Sequence, residues 1–480
     1  MSTPVQLAPS LLLDESHRRE LWQHVVNTIE SYISQVGDLR VAPPLDPTAI
    51  RKLLTPLQFD QPMDAIEAID FIADGLRQYQ VHNPHPRYFG LYNPSPTTMS
   101  IFADALVAAF NPQLAAWSHS PLAIEIENHL IRAFAEKFGY DPASADGTFT
   151  SGGAEANHTG VLTALVRQFP SFATGGVRSL PAQPVMYLSA QAHHSFQKAV
   201  RLCGLGSDAV REIPVNDQFQ LDVNLLREQI NADRLAGLIP FLVVGTAGTT
   251  SGGIVDPLAE LAEICCQEKL YFHVDAAWGG AAVFLDELKP LLKGIALADS
   301  ITFDAHKWFS VPMAAGIYLT RHPGLLTETF ATANNYMPID ARGLEVIDPY
   351  AHSMQWSRRF IGLKVFLSLL VAGWEGYTAA IRHQTEMGHL LRNQLSQTRW
   401  KVVNQTPLPV VCFVDGVHPE GTTQPYLERV ASRVLASGKA WISTTTIAPQ
   451  TPVLRACITN FRTQPEDIQI LIDALESTCP

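Results

Sequence analysis

Four short stretches of the chain hold residue types that could do chemistry together. Lys307 stands in SITFDAHKWFS, between His306 and Trp308, where the short run Ile301-Thr302-Phe303 ends. Asp275 stands in HVDAAWGG, 32 residues before that lysine. His193 stands in SAQAHHS, and Gly152-Gly153 stand in FTSGGAEANHTGVLTAL. A lysine amine can form a Schiff base with an aldehyde. A carboxylate can keep a heterocyclic nitrogen protonated, and an imidazole can stack on a flat ring. Backbone amides at a glycine-opened helix start can bind a phosphate. Singly, each residue has an ordinary structural reading: a snorkelling lysine, a helix cap, a buried histidine, a turn.

Something must bring these residues together. Residues 185–188, 239–244, 271–274 and 301–303 read as buried strands, separated by helical stretches such as 256–268. That alternation predicts a mostly parallel sheet. In such sheets ligands gather at the C-terminal ends of strands. The four strands run into SAQAHHS, GTAGTTSGG, DAAWGG and DAHKW, so His, Thr, Asp and Lys are expected at one shared site.

Outside this region, residues 16–36 form a predicted amphipathic helix with Leu21, Val25, Val26, Ile29, Ile33 and Val36 on one stripe. Gly37 and the Pro43-Pro44 pair end it. The stripe must be buried against either its own chain or a partner subunit. Residues 356–395 read as long helix, and residues 400–480 as a small α+β piece ending in a helix over 464–476. The expected division is 1–95, an N-terminal helical dimerisation segment; 96–375, a large α/β domain; and 376–480, a small C-terminal α+β domain.

The composition limits the function classes. The 480 residues are 46% hydrophobic and 17% charged, as in a compact globular protein. Acidic residues outnumber basic ones, 46 to 34, for a net charge of -12. With no dense Lys/Arg run, this argues against a nucleic-acid surface. Six cysteines without a CxxC or a zinc spacing suggest free thiols in a reducing cytoplasm and no metal site. No stretch is apolar for long enough to predict a membrane span, and MSTPVQLAPS lacks the order of a signal peptide.

An amine, a carboxylate, an aromatic stacker and a glycine-rich helix start are together what pyridoxal 5'-phosphate requires. The chain also resembles the pyridoxal phosphate-dependent amino-acid decarboxylases of the aromatic-amino-acid, histidine and glutamate group. HPRYFG, FADALVAAFN, SPLAIEIE, SGGAEAN, AHHS, GTTSGG, HVDAAWGG, DAHKW, RRFIGLK and VLRACI occur in that family's order. The resemblance implies an α/β fold of the aspartate aminotransferase type (type I), built on a large seven-stranded sheet. It also implies a homodimer with the active site at the interface.

Carried over residue by residue, the resemblance implies Lys307 as the Schiff-base lysine and Asp275 as the partner of the pyridine nitrogen, with Ala277 beneath the ring. It implies His193 as the stacking residue, and Gly153, Ala154, Ser300 and His306 on the phosphate side. Thr249 is expected to support the site, and Tyr92 and Arg455 to lie toward the substrate. The protonating tyrosine is expected on the loop before Arg358-Arg359, as Tyr350 in preference to Tyr336. The implied reaction converts an L-amino acid to its amine and CO2. The alternatives are an aldehyde-forming oxidative decarboxylase, an aminotransferase or a lyase of the same fold. Three features depart from the family: GLYNPSPTTMS only partly reproduces the aromatic wall, Asp304 stands where asparagine is common, and Trp278 stands where a smaller residue or tyrosine follows the Asp-Ala-Ala.

Overall fold

The computed structural model describes residues 11, 13–44, 46–60, 62–332, 344, 346–447 and 450–478. Tyr336 and Cys479 lie outside them. A seven-stranded sheet is formed by β1 (Asp146–Thr150), β2 (Pro184–Ser189), β3 (Val210–Ile213), β4 (Ile239–Thr246), β5 (Tyr271–Asp275), β6 (Ser300–Asp304) and β7 (Gly316–Thr320), in the order β1-β7-β6-β5-β4-β2-β3. Strands β2 to β6 pair in parallel. Strand β7 runs the other way between β6 and β1. The predicted mostly parallel α/β sheet is present. A second sheet joins β8 (Trp400–Val402), β9 (Val410–Asp415), β10 (Ser443–Ile447) and β11 (Thr451–Cys457), in the antiparallel order β10-β11-β9-β8.

The antiparallel β7 has a direct effect on the site. Its first residue, Gly316, pairs with Thr150 on one side and with Asp304 on the other. The ends of β1 and β6 are therefore held one strand apart, so SGGAEAN and DAHKW emerge side by side. A side chain at Gly316 would collide with Thr150 and Gly152, so only glycine allows this close approach.

Strand β6 has two different faces. Ile301 and Phe303 alternate with Ser300, Thr302 and Asp304. Phe303 packs against Phe134 and Phe138 of the helix Pro121–Phe138, with ring centroids 5.4 and 5.7 Å apart. Burying one such ring contributes roughly 1.5–3 kcal/mol. The opposite, polar face is covered by the helix Gly153–Gln168.

One helix expectation changes. The helix expected over 356–395 starts only at Leu363 and breaks locally at Gly373, whose φ is 63°. The N-terminal helix Glu15–Gln35 buries none of its residues within the chain, and Val26 on its stripe remains 47% exposed. Among the described residues no helix is long and apolar enough to cross a membrane.

Candidate active site

The site is assembled on the polar faces of β5 and β6. Alternation puts Tyr271, His273 and Asp275 on one face, beside Ser300, Thr302 and Asp304. Register places His273 opposite Ser300 and Asp275 opposite Thr302. The covering helix meets this face through glycines. A Cβ on Gly160 would stand 2.8 Å from His273, and one on Gly153 would stand 2.7 Å from Asp304 Oδ2.

A buried polar face is costly unless its groups find partners, and a hydrogen-bonded chain supplies them here. Asn157 donates both of its amide hydrogens, to Asp275 Oδ2 at 2.9 Å and to Ser195 Oγ at 3.0 Å. Its Oδ1 must then accept from His273 Nε2, 3.2 Å away. This makes His273 the Nε2–H tautomer, with Nδ1 accepting from Ser300 Oγ at 2.8 Å. Burial pushes the His273 imidazole down to about 4, which keeps it neutral. Asp275 Oδ1 accepts the Ala277 amide at 3.1 Å. Both carboxylate oxygens are thus anchored within the chain.

Lys307 follows β6 in a tight turn, in which its amide donates to the Asp304 carbonyl at 3.2 Å. Its Nζ lies 3.0 Å from Asp304 Oδ2, and the side chain keeps 24% of its surface open. Next to it, Trp308 is buried and donates Nε1 to Gln384 Oε1 at 2.7 Å. Gln384 in turn donates to the Thr459 carbonyl at 2.6 Å. The turn is therefore clamped from the side opposite the amine. His306 is buried and accepts the Ala315 amide on Nδ1 at 3.0 Å, and burial lowers its pKa.

The arrangement offers what pyridoxal phosphate requires. The helix Gly153–Gln168 opens beside Lys307's turn, and no hydrogen bond from the Gly153 or Ala154 amide is found among the described residues. A Cβ on Gly152 would meet His306 at 3.3 Å, so the glycines leave a bare backbone cradle. Free amides at a helix start, an accessible amine and an anchored carboxylate fit the group. His193 lies at the exposed edge, its Nδ1 accepting the Ser195 amide at 3.2 Å. Burial of its inner side lowers its pKa, and the charges of Asp275, Lys307 and Asp304 also act on it.

The remaining candidates occupy varied positions. Thr249 is buried, and its Oγ1 accepts the Ile254 amide at 3.1 Å, closing the GTTSGG turn. Tyr92 stacks on Trp278 with centroids 4.5 Å apart and donates to the Thr250 carbonyl at 2.7 Å. Arg455 donates to the carbonyls of Thr250, at 2.6 Å, and Gly90, at 3.0 Å. Tyr350 packs on Trp356 at 5.0 Å, and no hydrogen bond or ring contact joins it to Lys307, Asp275 or His193 among the described residues. Ser300 requires a correction. It begins β6, about 13 Å from Asp304 at the strand's rise per residue, and its hydroxyl is bound to His273 rather than facing a phosphate. Asn157, His273 and Ser195 were not anticipated. Their signals were spacings: Asn157 is four residues after Gly153 on the helix, and His273 is two before Asp275 on the strand.

Comparison with known proteins adds independent findings. Residues 47–415 match the pyridoxal-dependent decarboxylase conserved domain. The chain is 29% identical over 473 residues to an aromatic-L-amino-acid decarboxylase of Bacillus atrophaeus, covering 97% of this chain and 96% of that one. It is 31% identical over 349 residues to an L-aspartate decarboxylase of Metarhizium robertsii, covering 71% of this chain and 68% of that one. The crystal structure of mouse CSAD superposes with a TM-score of 0.89 at 23% identity, covering 97% of this chain and 99% of that one. That of Oryza sativa TDC with PLP and tryptamine gives 0.89 at 24%, covering 100% and 99%. With the family model spanning most of the chain, this protein belongs to the pyridoxal-dependent decarboxylase family and is a pyridoxal phosphate-dependent amino-acid carboxy-lyase.

Proposed function

We propose that Lys307 carries the cofactor and that Asp275 pairs with its ring nitrogen. His193 covers one ring face and Ala277 the other, and the Gly153 and Ala154 amides with His306 hold the phosphate. The carrying observation is that Lys307 and Asp275 leave the C-terminal ends of adjacent parallel strands, beside the start of a helix with free amides. When bound, the cofactor supplies a protonated ring that accepts the electron pair left behind by departing CO2. Asp275, held in place by Asn157, keeps the proton on that ring nitrogen. Tyr350 is the acid that returns a proton to the α-carbon. Tyr92 and Arg455 form the wall behind the substrate, the Tyr92 hydroxyl held by the Thr250 carbonyl and two Arg455 nitrogens by the Thr250 and Gly90 carbonyls. Thr249 keeps the adjoining turn closed.

The substrate is an L-amino acid. The relatives named above include decarboxylases of aromatic amino acids and of L-aspartate. We further propose a homodimer whose second copy covers the exposed stripe bearing Val26 and Ile29, with the N-terminal helices in residues 1–95. Residues 96–375 then carry the cofactor, and residues 376–480 form the small domain. The free thiols of Cys203, Cys265, Cys266, Cys412 and Cys457 support a cytoplasmic location. The test is a panel of aromatic, acidic and aliphatic L-amino acids, scoring CO2, amine, aldehyde and keto acid separately. Stoichiometric CO2 and amine from one class is expected. Aldehyde or keto acid as the main product would overturn this reading.

A further inference from the structure

Asp304 is the one group on the polar face of β5 and β6 that the hydrogen-bonded chain does not serve. It is 1% exposed, and neither carboxylate oxygen has a hydrogen-bond partner among the described residues. Its compensation is electrostatic, through the Lys307 ammonium at 3.0 Å. His306 Nε2 is 3.8 Å away, but burial holds that imidazole toward its neutral form, so it adds little positive charge. The third neighbour is the start of the helix Gly153–Gln168. Oδ2 stands 2.7 Å from where a Gly153 Cβ would be, so the carboxylate fills the space beside the free amides. The positive end of a helix attracts an anion; the Glu155 carboxylate there is engaged by the Ser151 amide at 2.8 Å, whereas Asp304's stands beside Gly153 with no hydrogen bond of its own among the described residues.

We propose that Asp304 is a built-in competitor for the cofactor's phosphate, occupying the anion-binding helix start and pairing with Lys307 until the cofactor arrives. This rests on the assignment of Lys307 and of the Gly153–Ala154 cradle above. Loading a phosphate there sets a second negative charge beside Asp304 and draws the Lys307 nitrogen, the ammonium that pairs with it among the described residues, away toward the cofactor's aldehyde. Both effects oppose binding. The charge at position 304 therefore sets how tightly the cofactor is held. The enzyme should exchange cofactor more readily than one with a neutral residue at this place.

The test uses cofactor-free full-length protein as wild type, Asp304→Asn and Asp304→Ala. Asparagine keeps the shape and removes the charge, whereas alanine removes the charge without adding an amide donor. Each is titrated with pyridoxal 5'-phosphate and with pyridoxal, which lacks the phosphate. Visible absorbance and tryptophan fluorescence are followed, and circular dichroism checks the fold. Both substitutions should tighten pyridoxal 5'-phosphate binding by roughly tenfold or more and change pyridoxal binding far less. Inorganic phosphate alone should also raise the melting temperature of Asp304→Asn more than that of wild type. Unchanged or weaker pyridoxal 5'-phosphate binding in both variants would overturn the proposal, as would an equal gain for pyridoxal. Lys307→Ala separates the two readings. If it keeps the wild-type visible band, the lysine assignment itself fails, whatever the Asp304 variants do.

Discussion

Asn157 donates to Asp275 Oδ2 at 2.9 Å while its own carbonyl takes the His273 ring proton at 3.2 Å. The carboxylate we propose as the partner of the cofactor's ring nitrogen is therefore aimed by a neutral amide and a neutral imidazole, neither of which competes with it for charge. A charged partner behind Asp275 would drain its attraction for the ring nitrogen.

Asn157→Ala should lower kcat by about 10- to 100-fold, the equivalent of losing one hydrogen bond to a charged group at roughly 1.5–3 kcal/mol. KM should change little, and the cofactor should stay bound. Steady-state kinetics beside a visible spectrum tests this. A variant that keeps wild-type kcat would refute the positioning role.

Lys307→Ala should lose its visible absorbance on dialysis and all measurable turnover, because no other amine is assigned to the aldehyde. Its circular dichroism should match wild type, since the turn is clamped through Trp308 and Gln384. Added cofactor that restores a stable visible band would sink the assignment.

The buried histidines predict acid sensitivity. His273 is lowered by burial to about 4, against about 6.5 in the unfolded chain. Between those values the unfolded state binds the extra proton, so stability falls as pH falls through that window. The full loss from this group is on the order of 3 kcal/mol. His85, lowered by burial to about 4, adds in the same direction. Asp256, raised by burial to about 6, opposes them below pH 6, because there its folded form holds the proton. Denaturation midpoints measured from pH 7.5 to 4.5 should fall. His273→Gln should remove about one proton's worth of that slope. Identical slopes would contradict a neutral His273.

Glu127 and Arg358 form an ion pair at 2.6 Å with both side chains about 95% buried, and Glu127 Oε1 also accepts the Gly362 amide at 2.9 Å. The pair ties the segment after Tyr350 to the helix Pro121–Phe138. Glu127→Gln leaves a buried guanidinium without its counter-charge, at a cost of about 3–5 kcal/mol. Its melting temperature should drop clearly, and Glu127→Leu with Arg358→Met should recover much of the loss. A single variant as stable as wild type would show that the pair is not holding this segment.

The legible parts of the fold were those with strong local signals. Strands β2, β4, β5 and β6 announced themselves through β-branched and aromatic runs. DGTFT, VREI and GIYLT, the sequences of β1, β3 and β7, are short and carry glycine or charge, so composition hid them. The long helix was expected too early because its approach, WSRRFIG, has helix-compatible residues that tertiary pairing claims instead, as Arg358 does for Glu127. The placement of Asp275 and Lys307 at the ends of adjacent strands follows from their motifs. Ser300 is expected on the phosphate side through the family resemblance alone, and the rise per residue along β6 sets it at the far end of the strand from Asp304. The anchors behind Asp275 join distant stretches of sequence, and only the packed helix brings Asn157 to His273.

The tether from Trp308 through Gln384 to Thr459 gives the lysine turn a mechanical character. The backbone root of Lys307 is pinned to two distant parts of the chain, while its four-carbon stem is not. The amine behaves as a swinging arm on a fixed pivot. In the role proposed for it, the amine would move by rotation about side-chain bonds, with no rearrangement of the backbone.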